Sequence, residues 1–137
     1  MWVLYALLAA VFAALTGILA KLGLREVNPN LATAIRTVVI LVMAWLIVFV
    51  TGRQTEIAGI SQKGWIYLVL SGLATGLSWL FYFYALEIGD ASKVIPVDKF
   101  SVVIAIVLAF TVLGEPLTAK TVIGGLLISA GTFALIL

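Results

Sequence analysis

The sequence has no histidine and no cysteine, and only 10% of its 137 residues are charged. Each shortage excludes something. Without cysteine there is neither a disulfide framework nor a thiolate metal site. Without histidine, the usual imidazole base, nucleophile partner and metal ligand are missing. No catalytic residue, metal or cofactor is therefore expected. An ordinary soluble domain carries roughly 25% charged residues, so this chain cannot solvate a globular surface. That rules out a soluble enzyme and a disordered segment. The pI of about 9.1 rests on eight basic against six acidic residues. Such an excess is too small and too scattered for a nucleic-acid surface, and no nucleic-acid partner is expected.

What is present is apolar: 64% hydrophobic side chains and a mean hydropathy of +1.28. A hydrocarbon layer about 30 Å thick needs roughly 20 apolar residues of helix. Cutting the chain where charges and turn formers cluster gives five such segments, at about 2–22, 31–50, 64–86, 93–113 and 119–137. Asn28 and Pro29 read as cap and first residue of the second, and Thr118 as cap of the fifth. Pro96, Asp98 and Lys99 interrupt the fourth early. The first segment lacks a charged leader and is too long for a signal core, so it reads as a span. The segments are apolar on every face, where a soluble helix would keep a polar one, and none shows the alternation of a membrane barrel. The fold class expected is all-α: one polytopic transmembrane domain over 1–137 with five spans, its main contact the lipid bilayer.

Five spans put the two ends on opposite sides. One side then carries Arg53, Lys63 and Lys120; the other carries Lys21, Arg25 and Lys93, with Arg36 and Lys99 deeper in the spans. Loop cations normally set orientation, and here they nearly balance. Insertion both ways up, giving an antiparallel homodimer, and a single fixed orientation are both compatible with that count. Many transporters place two inverted repeats around a midplane site. No second repeat is present in these 137 residues, so a partner repeat would be another chain.

Ionisable groups inside a span are expensive unless paired or wetted. Arg36 lies about 12 Å past the Asn28 cap, and Asp98 a similar distance past Asp90. At matched depth the two suit a bidentate ion pair. With Lys21, Lys99 and Glu87 they would form a polar vestibule with one spare positive charge, suited to a carboxylate or phosphate. The structural alternative is a bridge that merely fixes packing while Lys21 and Lys99 snorkel to the headgroups. Glu87, with one plausible cationic neighbour, is the better candidate proton carrier; otherwise it is an interfacial helix-end acid.

Helices in lipid approach closely through small residues. Gly72 and Gly76 form such a step beside Ser71, Thr75 and Ser78. An aromatic run follows, Trp79, Phe81, Tyr82, Phe83 and Tyr84, which reads either as a lipid-interface anchor or as the lining of a cavity; Trp79 and Tyr82, on the polar face, are the candidates to line a path. In the fifth span Gly124 and Gly131 are seven apart, with Gly125 and Ser129 adjacent, a stripe that reads as a dimerisation face or as packing within one chain.

The stretch YFYALEIGDASKVIPVDKFSVVIAIVLAFTVLGEPLTAKTVIGGLLISAGTFALIL resembles the end of an EamA domain. Its marks are a Tyr-Ala-Leu helix end (Tyr84, Ala85, Leu86), Pro96, Leu113-Gly114-Glu115, Leu117-Thr118 and a glycine-rich last helix with Gly124. FAALTGILAKLGL and ATAIRTVVIL, in the first two spans, are similar to five-helix bacterial and archaeal members of the drug/metabolite transporter superfamily. The resemblance implies half of a ten-helix inverted-repeat architecture, a homodimer of half-transporters in the cell membrane, and a small-molecule solute moved by alternating access. The last helix also resembles the dimerisation helix of small multidrug resistance transporters. Those carry a membrane-embedded glutamate in the first helix, whereas this first span holds only Thr16 and then Lys21, which argues against a cationic-drug exchanger. Glu115 reads as a loop acid helping the last helix to start. The competing class is a non-transporting scaffold or a subunit of a lipid-linked flippase.

Overall fold

The computed structural model describes residues 1–137 and contains helices and turns with no strand. The helices are α1 (Trp2–Gly23), α2 (Pro29–Val50), α3 (Gln62–Ile88), α4 (Ala91–Asp98), α5 (Ser101–Leu113) and α6 (Ala119–Ile136), with a 3₁₀ turn over Arg53–Gly59 between α2 and α3. Five stretches are long and apolar enough to cross a membrane, α4 and α5 together making one of them. The chain is thus a multi-pass, all-α membrane protein of five spans, the architecture of one EamA half. Thr37, Val38, Val39 and Ile40 sit consecutively in α2, although β-branched residues favour strands in water. In hydrocarbon the backbone must satisfy its own hydrogen bonds, and a single segment can do that only as a helix.

Residues 20–87 form one compact unit: the end of α1, then α2, the 3₁₀ turn and nearly all of α3. Asn28 caps α2 by accepting from the Asn30 N–H at 2.9 Å, and Pro29 follows as the first helical residue. Proline costs nothing there, because its absent N–H would have had no helical partner. Ser61 Oγ accepts from the Gly64 N–H at 3.1 Å, so α3 starts two residues ahead of the sequence expectation. Among the less exposed positions of α2 are 29, 33, 36 and 40, and among those of α3 are 76, 79, 83 and 86. These are three- and four-residue steps, one stripe on each helix. Phe83 and Leu86 are the unit's most deeply buried large side chains.

The other unit comprises residues 1–19 and 88–137. Its α6 packs against α4 and α5. Phe100 and Phe133 meet edge to face at 6.2 Å, and Ile106 lies against Gly125. The fourth span is broken, as its sequence suggests. Pro96 has no N–H to give its helix and crowds the preceding turn. From there the backbone bonds tighten to i+3 spacing: Lys99 to Pro96, Phe100 to Val97, Val102 to Lys99 and Val103 to Phe100, at 2.9–3.0 Å. α5 ends at Gly114, whose φ of +68° is left-handed, and the Glu115 N–H reaches back to the Ala109 carbonyl at 3.1 Å. Thr118 Oγ1 then caps α6 by accepting from the Thr121 N–H at 3.2 Å. Leu113-Gly114-Glu115 is therefore a stop and Leu117-Thr118 a start, which gives both motifs a backbone reason.

Candidate functional site

The candidate site of the 20–87 unit lies where the first turns of α2 face the last turns of α3. Arg36 projects from the buried stripe of α2, and its guanidinium carbon sits 4.6 Å from the Phe83 ring centre and 5.8 Å from that of Trp79. Trp79 and Phe83 are four apart on α3, so they stack on one face and offer two ring surfaces to one cation. Tyr82 meets Phe83 edge to face at 5.6 Å. A turn nearer the helix ends, Asn30 Nδ2 donates to the Tyr84 hydroxyl at 3.3 Å. The two rings flank the guanidinium carbon without offering a lone-pair acceptor, and Arg36 Nη1 is buried with no hydrogen-bond partner.

Nearby hydroxyls are already committed. Thr33 Oγ1 donates to the Pro29 carbonyl and Thr37 Oγ1 to the Thr33 carbonyl, both at 2.8 Å. Lys21, at the end of α1, donates to the Leu86 carbonyl and, at 3.4 Å, to that of Glu87. A cation on the final carbonyls of α3 matches the negative end of that helix. Glu87 is exposed, and its backbone oxygen accepts from Lys21. Thr75 Oγ1 likewise bonds its own helix, at the Ser71 carbonyl, 2.9 Å away.

In the other unit, Asp98 and Lys99 occupy the break between α4 and α5 and pair with each other at 3.1 Å. Asp98 thus takes its cation from the adjacent residue. The expectation for Arg36 was a carboxylate from the fourth span; what surrounds it within its own unit is aromatic.

The small residues sort into two kinds. A Cβ built on Gly72, Gly76, Gly124 or Gly131 would meet nothing within 4 Å. One on Gly125 would touch Ile106 Cδ1 at 3.6 Å. Ser129 donates to the Gly125 carbonyl at 2.9 Å, and Thr132, on the same face, is buried. The stripe of α6 is therefore two faces: Gly125, Ser129 and Thr132 turn into the chain, while Gly124, Leu127 and Gly131 turn out.

A separate concavity of about 490 Å³ lies at the far end of α2, bounded by Trp45, Val48, Ile57 and Ile60 with Arg53 and Glu56. Its two charges pair with each other, leaving little to recognise a solute. From the sequence, Phe83 and Tyr84 were members of an aromatic run without a preferred role, and Asn30 was not singled out. The four-residue step from Trp79 to Phe83 carried the signal for Phe83, where the three-residue step to Tyr82 was preferred.

The comparisons with known proteins agree with this architecture. A model of the EamA-like transporter family matches residues 1–137. The chain belongs to that family. It is also 46% identical over 134 residues to a Sinorhizobium sp. protein described as an uncharacterized transporter in the cobO 3′ region, covering 98% of this chain and 95% of that protein. No solved structure matches it. Membership places the chain among membrane transporters and points away from enzymatic chemistry.

Proposed function

We propose that this EamA member is a half-transporter of the cell membrane, a single transmembrane domain that pairs with a second copy and moves a small organic solute by alternating access. The observation that carries the reading is the outward face of α6. Gly124 and Gly131 have open space where a Cβ would stand, and Leu127 between them is 69% exposed. Two such faces bring backbones close, the way helices associate where no hydrophobic force acts between them. Support also comes from burial: no span has more than 11% of its most apolar window covered by the chain itself. The near-balance of loop cations is compatible with an antiparallel pair.

In this reading the solute contacts of the 20–87 unit are Arg36, Trp79, Tyr82, Lys21 and Glu87, and the candidates of the other unit, taken by itself, are Asp98 and Lys99. A helix broken at a charged pair is the kind of element that transporters place at their solute sites. Purified protein in liposomes, given a panel of labelled anionic, zwitterionic, cationic and neutral solutes, tests this. Uptake of one chemical class, lost when Gly124 and Gly131 are both replaced by Leu, is expected. A chain that moves nothing is a scaffold or a flippase subunit.

A further inference from the structure

We infer that Arg36 is the recognition cation of this protein, and that its solute carries an oxyanion group, a carboxylate or phosphoryl, which completes the hydrogen bonding of the guanidinium. The inference deepens the transport reading and rests on it.

A guanidinium has five N–H donors, no acceptor, and keeps its charge. Arg36 lies about eight residues, roughly 12 Å of helix, past the Asn28 cap, well inside the second span. Phe83 and Trp79 lie at cation–π distance from its guanidinium carbon, and neither ring supplies a lone-pair acceptor for its N–H donors. Nη1 finds none.

The acids of its unit do not fill the role. Glu56 pairs with Arg53, while Glu26 and Glu87 are exposed near helix ends. Thr33 and Thr37 are bonded to their own helix, and Asn30 donates to Tyr84. The other candidate cations have acceptors: Lys21 on the α3 carbonyls and Lys99 on Asp98. What remains is a cation flanked by two rings, with a buried donor that an incoming oxygen would satisfy. The planar fork of arginine matches the two oxygens of a carboxylate or phosphoryl group. The side chain as a whole is only half-buried, which leaves an approach to it. A cationic solute would meet repulsion at the same place.

Trp79, beside the guanidinium, supplies the readout. Replacing Trp2, Trp45 and Trp65 by Phe leaves it the single tryptophan of the chain. In phosphatidylcholine nanodiscs, benzoate should change Trp79 fluorescence saturably, and benzylammonium, with the same ring and opposite charge, should not. Arg36→Gln should weaken benzoate binding tenfold or more, Arg36→Lys should retain part of it, and Lys63→Gln should leave it unchanged. A purely structural Arg36 would not discriminate between the two probes.

Equal responses to both, or an undiminished benzoate response in a folded Arg36→Gln protein, overturns the assignment. Nanodiscs containing phosphatidylglycerol separate the sources of the oxyanion: if that lipid abolishes the benzoate response, the site belongs to a headgroup and the solute assignment fails. Benzoate binding by a chain that moves no solute leaves the oxyanion site standing and removes the transport reading. Flux that ignores both benzoate and Arg36→Gln does the reverse.

Discussion

The two units of this chain treat their embedded charges in opposite ways. At the break between α4 and α5, Asp98 and Lys99 neutralise each other as sequence neighbours. In the 20–87 unit, Arg36 is held by rings and keeps a donor unsatisfied. A self-neutralised pair can sit in a low-dielectric place at modest cost. An unpaired guanidinium there is costly, and its retention needs a reason outside its own unit. A charge settled by its sequence neighbour thus stands against a charge whose buried donor awaits an acceptor.

The sharpest way to break that comparison is a double-mutant cycle on flux. Arg36→Ala should reduce transport tenfold or more, and Asp98→Ala several-fold. If each charge is settled within its own unit, the double mutant should show the product of the two losses. A double mutant no worse than Arg36→Ala would mean that the two act as one pair during the cycle, and the contrast would fall.

A second contrast lies within α6, where neighbouring glycines face opposite ways. Gly125→Leu must push against Ile106, and overpacking of this kind costs about 1–3 kcal/mol, read as a lower unfolding midpoint in detergent. Gly124→Leu meets open space in the protomer. It should leave that midpoint unchanged and reduce only the dimer fraction, measured by crosslinking in liposomes. Equal loss of protomer stability in both would erase the distinction between an inner and an outer face.

The smallest effect concerns the stop of α5. Gly114 has a φ of +68°, where a Cβ costs about 1 kcal/mol. Gly114→Ala should lower stability by that order in thermal unfolding, with solute selectivity preserved. A neutral outcome would mean that the helix stop does not depend on the left-handed glycine.

Much of the fold was legible in the sequence because hydrocarbon imposes one strong rule: about 20 apolar residues, with turn formers between them. The spans fell within two residues of the observed helices, and the interruption at Pro96 was visible as a missing N–H. The 3₁₀ turn at Arg53–Gly59 was read only as polar loop, since short turns of this kind carry no period. The candidate site was legible in its charges and less so in their partners. Lys21 was placed in a polar vestibule or at the headgroups; its bonds to the last carbonyls of α3 use acceptors that helix ends expose and no side-chain pattern reveals. Arg36 was matched with Asp98 by depth and by the fit of guanidinium to carboxylate; the rings beside it within its own unit, four residues apart on α3, carry no charge pattern that would announce them.

The central claim, a half-machine completed by a second copy, is tested most directly by measuring flux against protein copies per vesicle. The panel solute that the pure chain moves fastest would be used, with copies counted by single-step photobleaching. The account predicts that vesicles holding one copy are silent and that flux begins with those holding two. Solute movement in single-copy vesicles at the rate of occupied pairs would contradict it.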